Sequence, residues 1–187
     1  MSSVAIVPAA GKGERFGGAK LMADVRGEPL LNHTIRSLLD GGVTRVVVVV
    51  PPASAMKVPL LSDVRVITEV NPDPARGMFS SIQAGASGAV GDLLLVLPGD
   101  MPFVRPATVA ALLEAVQETG LAVSPRHQGR RGHPIALPGR LRAAILAAKA
   151  DTTLSVVLAA DGIARIEIDV DDSGIHKDVD KPTDVDQ

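Results

Sequence analysis

The chain has 187 residues, 46% of them apolar and 21% charged, with a formal net charge of -2; that suffices for one globular domain with a buried core and excludes a disordered chain. Near-neutral charge with three Phe, no Tyr and no Trp argues against a polynucleotide binder, which needs a basic surface and stacking platforms. With no cysteine, no basic segment leading into a long apolar stretch, and the run 46–50 stopped by Pro51 and Pro52, neither secretion nor a membrane span is expected, and the cytoplasm is the expected compartment.

Short β-branched runs alternate with stretches of helical spacing, the pattern of a mainly parallel sheet covered by helices on both faces. A first strand is predicted over 4–7. A helix over 30–39 is stopped by Gly41 and Gly42, and the continuous apolar run 45–50 reads as a strand buried on both faces. Further strands are expected over 64–70 and 93–97, with helices over 78–86 and 106–119 and a strand over 121–124. Beyond lie a polar loop (126–132), an extended segment (134–137), helices over 141–149 and 153–160, and a strand over 165–170. The acidic tail 169–187 has no sustained apolar period and reads as a closing loop with a short helix. A single domain over 1–187 is expected, with about 1–105 binding nucleotide and about 106–187 binding the acceptor.

Ligands of open α/β sheets bind at the carboxyl ends of the strands. After the first strand come Ala9 and Ala10, then Gly11, Gly13, Gly17 and Gly18, a backbone free to turn its N–H groups toward an anion. Arg15 can fork onto two phosphate oxygens and Lys20 can act as a mobile charge near the outer phosphates, so the loop suits a polyphosphate. Phe16 breaks the dinucleotide-binding spacing, and Ala19 follows Gly18 where a P-loop needs Lys-Ser/Thr. After the fourth strand, Leu97-Pro98-Gly99-Asp100-Met101-Pro102 puts one carboxylate at the same edge. Asp100 is therefore the first candidate ligand for magnesium, which takes one or two carboxylates together with phosphate oxygens and water. Arg130, Arg131 and His133, in a Gly-His-Pro unit, can serve a phosphorylated acceptor, or can be no more than a solvated loop with an extended exit at Pro134.

These residues together resemble the GT-A-type nucleotidyltransferases, and most closely the molybdenum-cofactor nucleotidyltransferase family. The resemblance covers nearly the whole chain. It is carried by Pro8-Ala9-Ala10-Gly11 through Arg15, Gly17-Gly18, Lys20-Leu21 and Gly27-Glu28-Pro29-Leu30-Leu31. Asn71, Arg76-Gly77-Met78-Phe79-Ser80-Ser81, the Asp100 motif, Gly132-His133-Pro134 and Asp178-Val179-Asp180-Lys181-Pro182 follow in matching order. It implies a three-layer Rossmann-like α/β fold of GT-A type. Nucleotide contacts would come from Pro8, Ala9, Ala10, Gly11, Gly13, Arg15, Lys20, Asn71, Gly77 and Ser81. Arg15, Lys20 and Asp100 would be catalytic, and Asp100 and Asp180 would hold Mg2+. Lys181 stands where the family carries Thr, so either Asp178 or Asp180 can be the second ligand.

The activity so implied is in-line attack of an acceptor phosphate on the NTP α-phosphorus with loss of pyrophosphate, which needs no side-chain nucleophile. Pro8-Ala9-Ala10-Gly11 is closer to the cytidylyl than to the guanylyl members, which favours CTP over GTP. Molybdopterin is the implied acceptor and a molybdoenzyme the implied recipient of the product. Alternatives are another small-molecule cytidylyltransferase, such as the methylerythritol-phosphate type, and a non-catalytic nucleotide-binding maturation partner.

Overall fold

The computed structural model describes residues 1–11, 20–52, 60–149 and 151–180. In chain order the strands and helices are β1 (Ser3–Pro8), β2 (Asp24–Val25), β3 (Glu28–Pro29), α1 (Leu30–Asp40), β4 (Arg45–Val50), β5 (Val66–Val70), α2 (Met78–Gly88), β6 (Leu93–Val96), α3 (Pro106–Thr119), β7 (Ala122–His127), β8 (Arg130–Arg131), β9 (Ile135–Pro138), α4 (Leu141–Ala147), α5 (Leu154–Ala160) and β10 (Arg165–Asp169). Short 3-10 turns lie at Lys20–Met22, Pro74–Arg76 and Ser173–His176.

One sheet runs in the order β10-β7-β9-β6-β1-β4-β5, with β8 paired to β7. On that path β9 alone runs against its neighbours β6 and β7, while β1, β4, β5 and β6 are mutually parallel, as are β7 and β10. The central strands are apolar on both faces because both faces are covered. Leu31, Ile35 and Leu38 of α1 and Val109, Leu112 and Val116 of α3 pack with Val7, Val48 and Leu95 on one side. Phe79 and Ile82 of α2, Leu141 and Ile145 of α4 and Val157 and Leu158 of α5 pack with Ile6, Val49 and Leu94 on the other. The result is the expected three-layer α/β arrangement. Among the described residues no helix is long and apolar enough to cross a membrane.

The sequence reading of 126–132 as a polar loop needs correction. β7 continues to His127 and folds back on β8, with Arg126 opposite Arg131 and His127 opposite Arg130. Gln128 (φ 50°) and Gly129 (φ 74°) form the two-residue connection, the left-handed pair that matches the twist of a hairpin. Backbone pairing at this outer strand holds the ladder although its side chains are charged, so hydrophobic alternation gives no sign of it. The helix expected over 141–149 ends at Ala147, and the acidic tail contributes the short turn Ser173–His176.

Candidate functional site

The carboxyl ends of β1 and β6 lie side by side, and backbone bonds continue the pairing past both strands. Gly99 N–H donates to the Pro8 carbonyl at 3.0 Å, and Ala9 N–H donates to the Val49 carbonyl at 2.8 Å. Ala9 and Ala10 are buried and Gly11 is exposed, so the loop after β1 starts on a fixed backbone. Helix α1 secures the loop after β6: Thr34 Oγ1 donates to the Gly99 carbonyl at 3.0 Å, and Ser37 Oγ donates to the Val104 carbonyl. Both hydroxyls are buried on the helix face that also carries Leu31, Ile35 and Leu38. Two polar residues spaced by three on an apolar stripe are the local sign in the sequence of such anchoring.

Asp100 sits on this secured loop. Lys20 Nζ lies 2.8 Å from Asp100 Oδ2 and 2.6 Å from Asp180 Oδ1. A small apolar cluster explains why such distant residues meet. Val25, Leu30 and Val179 are buried together, with Leu21 and Phe103 packed against them. Lys20 precedes Leu21 and Asp180 follows Val179, so burying the two apolar residues brings their charged neighbours to one place. The side chains of Lys20, Asp100 and Asp180 are 13%, 28% and 41% exposed. Burial opposes the lysine charge, but hydrogen bonds and Coulomb attraction from both carboxylates outweigh it and raise the Lys20 pKa. Asp178, the alternative to Asp180, is exposed and lies within electrostatic range of His133.

Among the described residues there is no cluster of three or more His, Asp or Glu placed to hold a metal. Asp100 and Asp180 are brought together on one ammonium, and one or two carboxylates completed by phosphate oxygens and water make a donor set that suits magnesium. One ammonium bridging two carboxylates marks a position where positive charge is already favoured.

The tail is strapped across this edge by residues the sequence did not single out. Asp172 is 2% exposed. Its Oδ2 accepts from Arg105 N–H at 2.8 Å and Thr108 Oγ1 at 2.7 Å, and its Oδ1 accepts from Gly174 N–H at 2.9 Å. It thus ties the tail to the first turn of α3, where backbone N–H groups lack intrahelical partners. Farther along, Ile175 carbonyl accepts from His133 N–H at 3.0 Å, and Val179 N–H donates to the Asp100 carbonyl at 2.9 Å. His176 Nε2 donates to the Arg130 carbonyl at 2.9 Å. The strap therefore touches the Asp100 loop on one side and the β8–β9 segment on the other.

The remaining sequence candidates fall into separate groups. Asn71 follows β5 at the same sheet edge; its Nδ2 donates to Ser80 Oγ at 2.8 Å and Ser81 Oγ at 3.0 Å, and its Oδ1 accepts from Asp73 N–H at 3.0 Å. All three polar side chains are buried, so this cluster fastens β5 to the start of α2 beside Gly77, whose φ is 92°. Arg130 and Arg131 are exposed on β8, and Arg131 Nη1 is 3.7 Å from Glu167 Oε1. His133 is half-buried, its Nδ1 has no hydrogen-bond partner among the described residues, and burial with the nearby Arg165 holds its pKa below the ordinary histidine value. Gly13 and Arg15 lie outside the described residues, as do Lys181 and Pro182.

The family model for the MobA-like NTP transferase domain matches residues 5–166. The chain belongs to that family. This MobA-like chain is 31% identical over 121 residues to a probable molybdenum cofactor guanylyltransferase of Thermococcus sibiricus, a match covering 64% of the chain and 59% of that protein. It is 38% identical over 135 residues to the 2-C-methyl-D-erythritol 4-phosphate cytidylyltransferase of Saccharopolyspora erythraea, covering 67% of the chain and again 59% of the relative. The MobA-like match thus spans less than two thirds of either relative's length. In fold it is similar to Rv0371c of Mycobacterium tuberculosis H37Rv, with a TM-score of 0.77 at 19% identity over 98% of this chain and 96% of that one. A manganese complex of the same mycobacterial protein superposes with a TM-score of 0.72 at 18% identity, over 98% and 96% of the two chains.

Proposed function

We propose that the chain is a nucleotidyltransferase that moves a nucleoside monophosphate from an NTP to a phosphorylated small molecule and releases pyrophosphate. The observation that carries this reading is the meeting of Lys20, Asp100 and Asp180 at the carboxyl edge of β1 and β6, Lys20 directly following the glycine-rich run in the sequence. Residues 1–105 would hold the nucleotide, and 106–187 the acceptor, within one domain. Backbone at Pro8, Ala9, Ala10, Gly11 and Gly13 would meet the base and phosphates, with Asn71, Gly77 and Ser81 shaping the nucleotide side.

An acceptor phosphate oxygen attacks the α-phosphorus in line. A new P–O bond forms there as the bond to the bridging oxygen breaks, and that electron pair leaves with pyrophosphate. The acceptor phosphate is already anionic, so orientation and charge stabilisation supply the acceleration without a general base. Lys20 exchanges its carboxylate partners for phosphate oxygens, and Arg15 forks onto them from the loop. Asp100 and Asp180 would hold magnesium, which neutralises phosphate oxygens when bound.

Pro8-Ala9-Ala10-Gly11 favours CTP over GTP, and molybdopterin is the acceptor favoured by the motif set, its product passing to a molybdoenzyme. The 38% identity to a methylerythritol-phosphate cytidylyltransferase supports a second reading with the same chemistry and a polyol phosphate as acceptor. The test is a pyrophosphate-release panel of four NTPs with magnesium against molybdopterin, methylerythritol phosphate and simple sugar phosphates. Turnover with CTP and molybdopterin is expected. Nucleotide binding without release for any acceptor would instead favour a non-catalytic maturation partner, and unchanged turnover in Asp100→Ala would remove Asp100 from the metal site.

A further inference from the structure

The outer part of the sheet carries a polar row on the face that α4 and α5 cover elsewhere. Strand register defines it: Arg165 lies level with Ala122, Glu167 with Ser124 and Asp169 with Arg126, while Arg126 lies opposite Arg131. Side-chain contacts agree with the register. Arg126 Nε reaches Asp169 Oδ1 at 2.8 Å, and Glu167 lies 3.8 Å from Arg126 and 3.7 Å from Arg131.

Arg165 differs from the other two guanidinium groups. Its Nε and Nη2 donate to one oxygen, Ser124 Oγ, at 2.9 and 2.6 Å, and Ser124 is fully buried. Among the described residues no carboxylate lies within ion-pair distance of Arg165, because Glu167 sits between Arg126 and Arg131. Burial, and after it the neighbouring Arg131, work against its charge and outweigh the longer-range attraction of Glu167. A half-buried guanidinium held in place by a neutral hydroxyl, with donors remaining, is a costly arrangement until an anion joins it. His133 is the second such group: its Nδ1 is buried without a partner among the described residues, and it lies within electrostatic range of both Arg165 and Asp100.

We propose that Arg165, fixed by Ser124 and flanked by Arg131 and His133, seats a phosphate monoester group, the anionic end of the acceptor. The identity of that ligand as the acceptor rests on the transfer reading above; the anion seat rests on the geometry. A planar guanidinium with its fork already oriented suits two phosphate oxygens. The triphosphate of the nucleotide offers the same chemistry, so the experiment separates the two sources.

Methyl phosphate is titrated into the full chain while the His133 imidazole signal, assigned by its loss in His133→Gln, and the Arg165 Nε–H signal are followed by NMR. Both should shift with one saturating midpoint in the unaltered protein. Arg165→Met should weaken methyl phosphate by at least about tenfold, the size of one lost charge-assisted contact. Arg165→Lys should retain part of the binding, and CTP affinity by calorimetry should stay unchanged in both variants. The proposal is overturned if neither signal saturates, if Arg165→Met binds methyl phosphate as before, or if CTP affinity falls in step. Saturable binding in a protein that releases no pyrophosphate with any acceptor would sustain the anion seat and sink the transfer reading alone.

Discussion

Lys20 and Asp180, 160 positions apart in the chain, meet at 2.6 Å. The contact closes the tail over the same edge of the sheet that the loop after β1 opens, and Asp100 shares the same ammonium at 2.8 Å. Without that ammonium two carboxylates would face each other across a partly dry gap. Like charges so placed repel, and a cation is what such a site then attracts.

Lys20→Met is expected to lower stability by about 1–2 kcal/mol, a modest loss because Asp180 is partly solvated and the pair is screened. Magnesium should restore more of the melting temperature in the variant than in the parent. Because the folded lysine pKa is raised, the ion-pair contribution is full below the ordinary lysine value and is lost as pH rises through the raised one. Thermal melts with and without magnesium from neutral to alkaline pH check both points. Equal melting temperatures for parent and variant near neutrality would show that the contact contributes nothing.

Asp172→Ala removes one acceptor group from three donors and leaves Arg105 N–H, Thr108 Oγ1 and Gly174 N–H without it. A loss of about 2–4 kcal/mol is expected, since each buried donor left unpaired carries its own desolvation penalty. The more specific reading is hydrogen exchange at Val179, whose N–H is bonded to the Asp100 carbonyl. Its protection should fall more than that of β1 amides. Uniform loss across the sheet would show that Asp172 supports the fold as a whole and not the strap.

Where local chemistry and tertiary demand agreed, the sequence was legible to the residue. The strand Arg45–Val50 and the helix Pro106–Thr119 match their expected bounds. The helix has Pro at its start and Gly120, at φ 64°, past its end, both local stop signals. Asp180 is a candidate through family resemblance and not through any spacing in the acidic tail, which has no sustained apolar period. The missed signal is Ile175 and Val179, two fully buried apolar residues four apart in a mostly polar tail. Asp172 and Arg165 escaped for a different reason. Apart from the local bond of Asp172 to Gly174 N–H, the partners that give them their roles lie across the fold, at Thr108 and Ser124, and no period or spacing along the chain encodes such a pair.

His133 is expected to titrate below the ordinary histidine value, because burial disfavours the charged ring, Arg165 and Arg131 oppose it, and Asp100 and Asp178 compensate only in part. The sign follows from proton uptake: between the two values the unfolded chain binds more protons than the folded one. The neutral ring's contribution to stability is therefore complete above about pH 6.5 and declines as pH falls from there toward the lowered folded value. His133→Gln should flatten the pH dependence of stability in that window. The imidazole carbon chemical shift gives the same pKa directly, and a midpoint at or above the ordinary value would contradict the assignment.

Two glycines should respond to the same substitution for unlike reasons. A methyl at Gly174 would run into the Phe103 carbonyl and stand 2.9 Å from Asp172 Oδ1. Backbone on one side and a buried carboxylate on the other leave little room to yield. Gly162 instead has open space around its Cβ position but a φ of 66°, so alanine there meets only backbone strain, about 1 kcal/mol. Gly174→Ala should cost about 1–3 kcal/mol, as overpacking does, and should lift the strap so that Val179 exchanges faster and the Lys20 contact with Asp180 loosens. Gly162→Ala should lower the melting temperature while leaving Val179 protection relative to β1 unchanged. Chemical denaturation and hydrogen exchange on the two variants decide between these outcomes. If Gly174→Ala lost stability without any selective change at Val179, the tail would not be held from Gly174, and the placement of Asp180 would rest on Val179 and its apolar neighbours alone.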